Sequence, residues 1–213
     1  MFRKFSLSLC YMKQKVKIIF ATGNKGKLRE AAGILGDGFE IVSPSDLGIT
    51  EDIEETGETL EENSIIKAEY LYKKTGMDCF ADDTGLEVKA LGGAPGVHSA
   101  RYATDGHDFN ANMDKLLFEL SKHPDEPRSA RFRSVVTLIT GGEKHFFEGT
   151  LEGSIAESKA GTQGFGYDPV FIPAMYPDHT VAELGEEVKN EISHRGKALR
   201  EMSAWMKENG YGE

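Results

Sequence analysis

The apolar periodicity changes character partway along the chain, and that change limits the folds open to it. In the first half, strands and helices alternate. "VKIIFA", residues 16–21, reads as a buried strand, after which Leu28, Ala31, Ala32 and Leu35 recur at helical spacing behind Asn24, a good N-cap. A second helix carries Ile65, Ala68 and Tyr72, starts from the capping-box pair Thr59 and Glu62, and ends near Gly76. "MDCFA" then reads as a short strand ending at Asp82 and Asp83, and Phe109, Met113, Leu116, Leu117 and Leu120 mark a third helix. The second half is hairpin-rich. "ARFRSVVTLIT" turns at Gly141-Gly142 into a run around "KHFFEG", and "GTLEGSIAES" offers a further strand. "GTQGFGYDPVFIP" is a glycine loop leading into a short apolar strand, and Ala198, Met202 and Trp205 share one face of a closing helix behind Ser193. Alternation followed by hairpins predicts an α/β protein: a mixed sheet with helices packed around it, in two lobes.

With 213 residues the chain is expected to form one domain with a substantial core. Residues 15–213 read as that domain, and residues 1–14 as an extension without function. In that extension Arg3 and Lys4 precede a short apolar stretch that lacks an A-x-A cleavage site, so it is not read as a signal peptide, and Met12 is an alternative start. The 25 Lys and Arg against 35 Asp and Glu give a formal charge of -10, which disfavours nucleic acid and anionic membranes as partners but leaves room for a small anion where cations cluster. Cys10 and Cys79 have no metal-ligand spacing and point to a reducing cytosol rather than a disulfide framework.

Three stretches carry chemistry. The turn "TGNKGK", between strand and helix, aims backbone N–H groups and a helix dipole at one point, with Lys27 and Lys25 adding charge; it is open to reading as a phosphate site or as an ordinary connection. Adjacent Asp82 and Asp83 repel unless something compensates them, and Mg²⁺ is a natural compensator; a solvated turn at "DTG" is the plainer reading. In an otherwise acidic protein, Lys189, His194, Arg195, Lys197 and Arg200 form a local basic cluster, and His194 and Arg195 lie at a helix entrance after Ser193. Phe165, between glycines in "GFGYD", is a poor core position and a good one for a ring that stacks on a base.

Taken together, "TGNKGK", "EETG", "FADDTGLEV", "LGGAPGVHSARY", "GFGYDPVF" and "SHRGKAL" resemble, in order and spacing, the inosine triphosphate pyrophosphatases, over about residues 16 to 207. The resemblance implies an elongated mixed β-sheet whose flanking helices form two lobes around a central active-site cleft. It also implies hydrolysis of ITP, dITP and XTP to the monophosphate and pyrophosphate, with Mg²⁺, in a cytoplasmic homodimer. By position it implies a triphosphate turn at Thr22, Gly23, Asn24, Lys25, Gly26 and Lys27, and a substrate contact at Thr84, where serine is commoner. Glu55 and Asp83 become metal ligands, with Asp83 also the catalytic residue. The base pocket falls on Phe165, Gly166, Tyr167 and Asp168, completed by Lys189, His194 and Arg195. Donors such as Arg195 or His194 match a 6-keto oxygen and mismatch the amino group of adenine. The rivals are a Maf-like pyrophosphatase of other base preference and a non-catalytic nucleotide sensor or RNA-binding module; only an enzyme needs Asp83.

Overall fold

The computed structural model describes residues 15–106 and 108–212. The extension before Lys15, with Met12 and Cys10, lies outside the described residues. In chain order the elements are β1 (Val16–Phe20), α1 (Lys25–Leu35), β2 (Phe39–Val42), α2 (Leu60–Thr75), β3 (Cys79–Val88), β4 (Pro95–Gly96), α3 (Phe109–Ser121), β5 (Ser129–Thr140), β6 (Glu143–Ile155), β7 (Phe171–Pro173), α4 (Gly185–Ile192) and α5 (His194–Glu208), joined by short 3-10 turns.

The sheet has seven strands in the order β2-β1-β3-β5-β6-β7, with β4 on the edge of β3. β1 is parallel to both β2 and β3, while the β3, β5, β6 and β7 pairings are antiparallel, which is the mixed sheet expected from the change of periodicity. Two expectations need correcting. β3 does not end at the aspartates but runs on to Val88, because every residue from Cys79 to Val88 finds a partner on β5. The two strands expected after Gly142 are one, β6, since an unbroken ladder against β5 carries it through "EGTLEG".

Apolar packing divides along the long strands. At one end, Ile18, Phe20, Phe80, Val136 and Leu138 pack under α1 and α5, while on the opposite face Ile19, Cys79, Ala81 and Ile139 pack under α2. At the other end, Leu86, Val88, Phe132, Leu151 and Phe171 form a third cluster with Met113, Leu116 and Leu120 of α3. Of the predicted α1 face, Ala31 and Leu35 are buried but Ala32 is exposed.

Between the lobes the sheet has a notch. β1 pairs with β3 only at Cys79 and Phe80, and β4 takes up the same edge only at Leu86 and Glu87. Asp82 and Asp83 fall between these pairings, beside the point where the chain leaves β1 to enter α1. A divergence of this kind at the carboxyl end of a parallel strand is where open α/β sheets place ligands.

Candidate active site

The turn out of β1 is built by two side chains. Thr22 Oγ1 accepts a hydrogen bond from the Asn24 N–H at 3.1 Å, and Asn24 Oδ1 accepts from the N–H groups of Gly26 at 2.8 Å and Lys27 at 3.2 Å, capping α1. Those two N–H groups are therefore already engaged, which narrows the donors that the turn can offer an anion. Gly23, Asn24, Lys25 and Gly26 are exposed, whereas Lys27 turns inward and places Nζ 2.9 Å from both oxygens of Asp82.

Because side chains alternate along a strand, Asp82 and Asp83 face opposite sides of the sheet. Asp82, 1% exposed, lies on the α1/α5 side, where Arg195 Nε donates to Oδ2 at 2.8 Å. Burial alone would raise its pKa, but Lys27, Arg195 and Lys67 outweigh burial and hold it well below the usual carboxylate range. Arg195 also meets Glu30 of α1, Nη1 to Oε2 at 3.2 Å, and the same carboxylate accepts from Ser193 Oγ at 3.2 Å.

Asp83 lies on the α2 side. Lys67 Nζ donates to its Oδ1 at 2.9 Å and to Glu55 Oε1 at 2.8 Å, so an acidic loop and a strand meet on one ammonium. Burial, helped by Glu55 and Asp82, pushes the Asp83 pKa up against the pull of Lys67. Lys67, like Glu30, is a residue that sequence reasoning missed. Its signal was there: a lysine between Ser64, Ala68 and Leu71 on the buried face of α2 is out of place unless it has an acidic partner. The helix that carries it is fixed by the expected capping box, with Thr59 Oγ1 accepting from the Glu62 N–H and the Glu62 carboxylate accepting from the Thr59 N–H. Thr84, next along β3, donates to Ser134 Oγ at 3.0 Å.

In the glycine loop before β7, Phe165 is 53% exposed, and Lys189 Nζ sits 4.0 Å from its ring centroid. Asp168 Oδ2 accepts from the Phe165 N–H at 2.8 Å and from Lys189 Nζ at 2.5 Å. Gly164 makes this loop possible, since a Cβ there would overlap the Asp168 carboxylate. Gly166 follows Phe165 with positive φ. The Tyr167 ring is turned into the core, and its hydroxyl donates to the Ser99 carbonyl at 2.8 Å. His194 stacks on Phe132 with centroids 4.9 Å apart, and its Nδ1 is buried without a partner among the described residues. Burial first, then the neighbouring Arg195, lower its pKa well below the ordinary histidine value. The α5 entrance approaches β6 so closely at Gly149 that a Cβ there would overlap the His194 carbonyl oxygen.

Around Asp82 and Asp83, then, three cations (Lys27, Lys67, Arg195) stand against four carboxylates (Glu30, Glu55, Asp82, Asp83). Two of those carboxylates, Glu55 and Asp83, already converge on a positive charge. Such hard oxygen donors suit a divalent cation, and no group of three or more ligating side chains is found among the described residues.

The Ham1 family model matches residues 18–205. The chain belongs to the Ham1 family. Similar proteins include two named dITP/XTP pyrophosphatase, from Porphyromonas gingivalis, 54% identical over 188 residues (87% of this chain, 95% of that one), and from Bacillus subtilis, 48% identical over 187 residues (87% and 94%). Among solved structures, the Ham1 protein of Staphylococcus aureus superposes with a TM-score of 0.84 at 39% identity, and a HAM1 protein from Coxiella burnetii with 0.86 at 38%; each comparison covers 91% of this chain and 99% of the other.

Proposed function

We propose that the protein hydrolyses non-canonical purine nucleoside triphosphates, dITP, ITP and XTP, to the nucleoside monophosphate and pyrophosphate, and so clears them from the nucleotide pool. The observation that carries this reading is the convergence of Glu55 and Asp83 on Lys67 in a notch that Lys27 and Arg195 also line. Family membership and the names of the relatives support it.

The triphosphate lies along the turn Thr22–Lys27, with Thr84 beside it and Lys27 offsetting charge on its oxygens. Asp83 orients a water toward the α-phosphorus and accepts its proton as the new P–O bond forms and the bond to the bridging oxygen breaks, releasing pyrophosphate. Lys67 holds the Asp83 carboxylate by Oδ1 and so fixes its direction. Glu55 and Asp83 would hold Mg²⁺, which, when bound, supplies positive charge that three cations facing four carboxylates lack.

At the other end Phe165 stacks on the base and Asp168 keeps Lys189 against that ring, within the pocket formed with Gly166, Tyr167, His194 and Arg195. A 6-keto oxygen satisfies a donor from His194 or Arg195. Adenine offers a donor in its place, and each buried polar group left unmatched costs about 1–3 kcal/mol. Pyrophosphate release measured across ITP, XTP, GTP and ATP, with and without Mg²⁺, tests this. ITP and XTP are expected to be cleaved far faster than ATP or GTP and only with the metal; equal rates defeat the reading.

Residues 15–213 form the catalytic domain, and a chain starting at Met12 is expected to keep full activity. We place the enzyme in the cytoplasm as a homodimer, without nucleic-acid or membrane partners. No helix among the described residues is long and apolar enough to cross a membrane.

A further inference from the structure

We propose that Asp82 is a positioning residue that locks Lys27 and Arg195 into one unit, so that the phosphate end and the base end of the substrate are recognised together. The inference rests on the function proposed above and goes beyond it, because Asp82 is neither a metal ligand nor a base there. It faces the other side of β3 from Asp83 and Glu55, and its oxygens are taken by Lys27 and Arg195.

Lys27 belongs to α1 and Arg195 to α5. The two cations would repel without the carboxylate between them, and Lys27 would be free to swing on a four-carbon stem. Arg195 is held in its own plane by a second acid, Glu30, one turn beyond Lys27 on α1, which also bonds Ser193 at the α5 N-cap. One closed ring of contacts therefore joins the phosphate lysine, the strand and the base-side arginine. At 1% exposure the Asp82 carboxylate is closed off from bulk solvent, so Lys27 and Arg195 are the groups that balance it.

Asp82→Asn keeps the volume and removes the charge. Binding of two partial ligands, inorganic triphosphate for the phosphate end and inosine for the base end, is read by titration calorimetry in Mg²⁺, independently of turnover. If Asp82 merely opposes a nearby anion, its neutralisation tightens triphosphate binding. As a positioning residue its loss weakens both probes, by at least about fivefold each. Tightened triphosphate binding, or weakening at one end alone, overturns the proposal.

A cycle in the unaltered background covers the case in which Asp82→Asn does not fold. Lys27→Met and Arg195→Gln are expected to depart from multiplicative effects on kcat/KM for ITP, or on ITP affinity, by at least about threefold. Independent effects there also overturn it. Wild-type protein that releases no pyrophosphate from ITP defeats the proposed function instead, and the two binding probes still report on Asp82.

Discussion

At the scale of single residues, the two carboxylates on β3 have different duties, and each duty predicts a different loss. Asp83→Asn is expected to lower kcat for pyrophosphate release by about 10²–10⁴, the usual contribution of a placed general base, in a protein that still folds by circular dichroism; retained turnover would show that another group takes the proton. Lys67→Met strips Glu55 and Asp83 of their shared partner. Removing one member of a buried ion pair costs about 3–5 kcal/mol, so metal-free protein should lose that much in denaturant titration, and Mg²⁺ should restore part of it. His194 gives a pH signature. An unfolded histidine takes up a proton below about pH 6.5, whereas folded His194 resists until lower pH. The unfolded state then holds more protons, and stability falls as pH drops through that value. Comparing unfolding midpoints at pH 7.5 and 5.5 should show a smaller drop in His194→Gln than in the unaltered protein. Asp83, Lys27, Glu55, Phe165 and Arg195 were legible in the sequence because short motifs marked them. Lys67 and Glu30 were not, since each lies inside a helix with no short motif to mark it and takes its partner from another element.

At the scale of elements, local signals did well wherever a boundary is set by nearby chemistry. Asn24 caps α1, Thr59 and Glu62 box α2, Gly76 closes it in a left-handed cap, and Ser193 caps α5, all as the sequence suggests. The end of β3 and the unity of β6 were misread because both depend on β5, a partner distant in the chain. The seat of α5 on β6 carries its own prediction. Gly149→Ala forces the His194 carbonyl away, and overpacking of this kind costs about 1–3 kcal/mol. Circular dichroism melts should show a midpoint lowered by about 2–4 °C per kcal/mol, together with a raised KM for ITP, since His194 and Arg195 sit in the displaced turn. A normal KM would detach α5 from the base site.

At the scale of the whole molecule, β5 and β6 are the members that make two lobes one body. β5 places Ala130 and Phe132 in one apolar cluster and Val136 and Leu138 in another. The two-lobed mixed sheet was readable in outline from periodicity, but the notch was not, because it arises from how far β1 and β4 each extend along β3. Since the long strands pass through both lobes, unfolding should be a single transition with calorimetric and van't Hoff enthalpies equal. Phe171→Ala, which removes a ring 4.6 Å from Phe132, should shift that transition by about 3–5 kcal/mol without splitting it. Two separate heat-absorption peaks would mean that the lobes fold on their own.

Asp82 and Asp83 are neighbours in the chain, yet their side chains leave opposite faces of the strand and answer to different partners. Neither can deputise for the other. A lost carboxylate at one position will not be made good by the intact one beside it, and reversing the order of two letters that look interchangeable would mean turning the strand over.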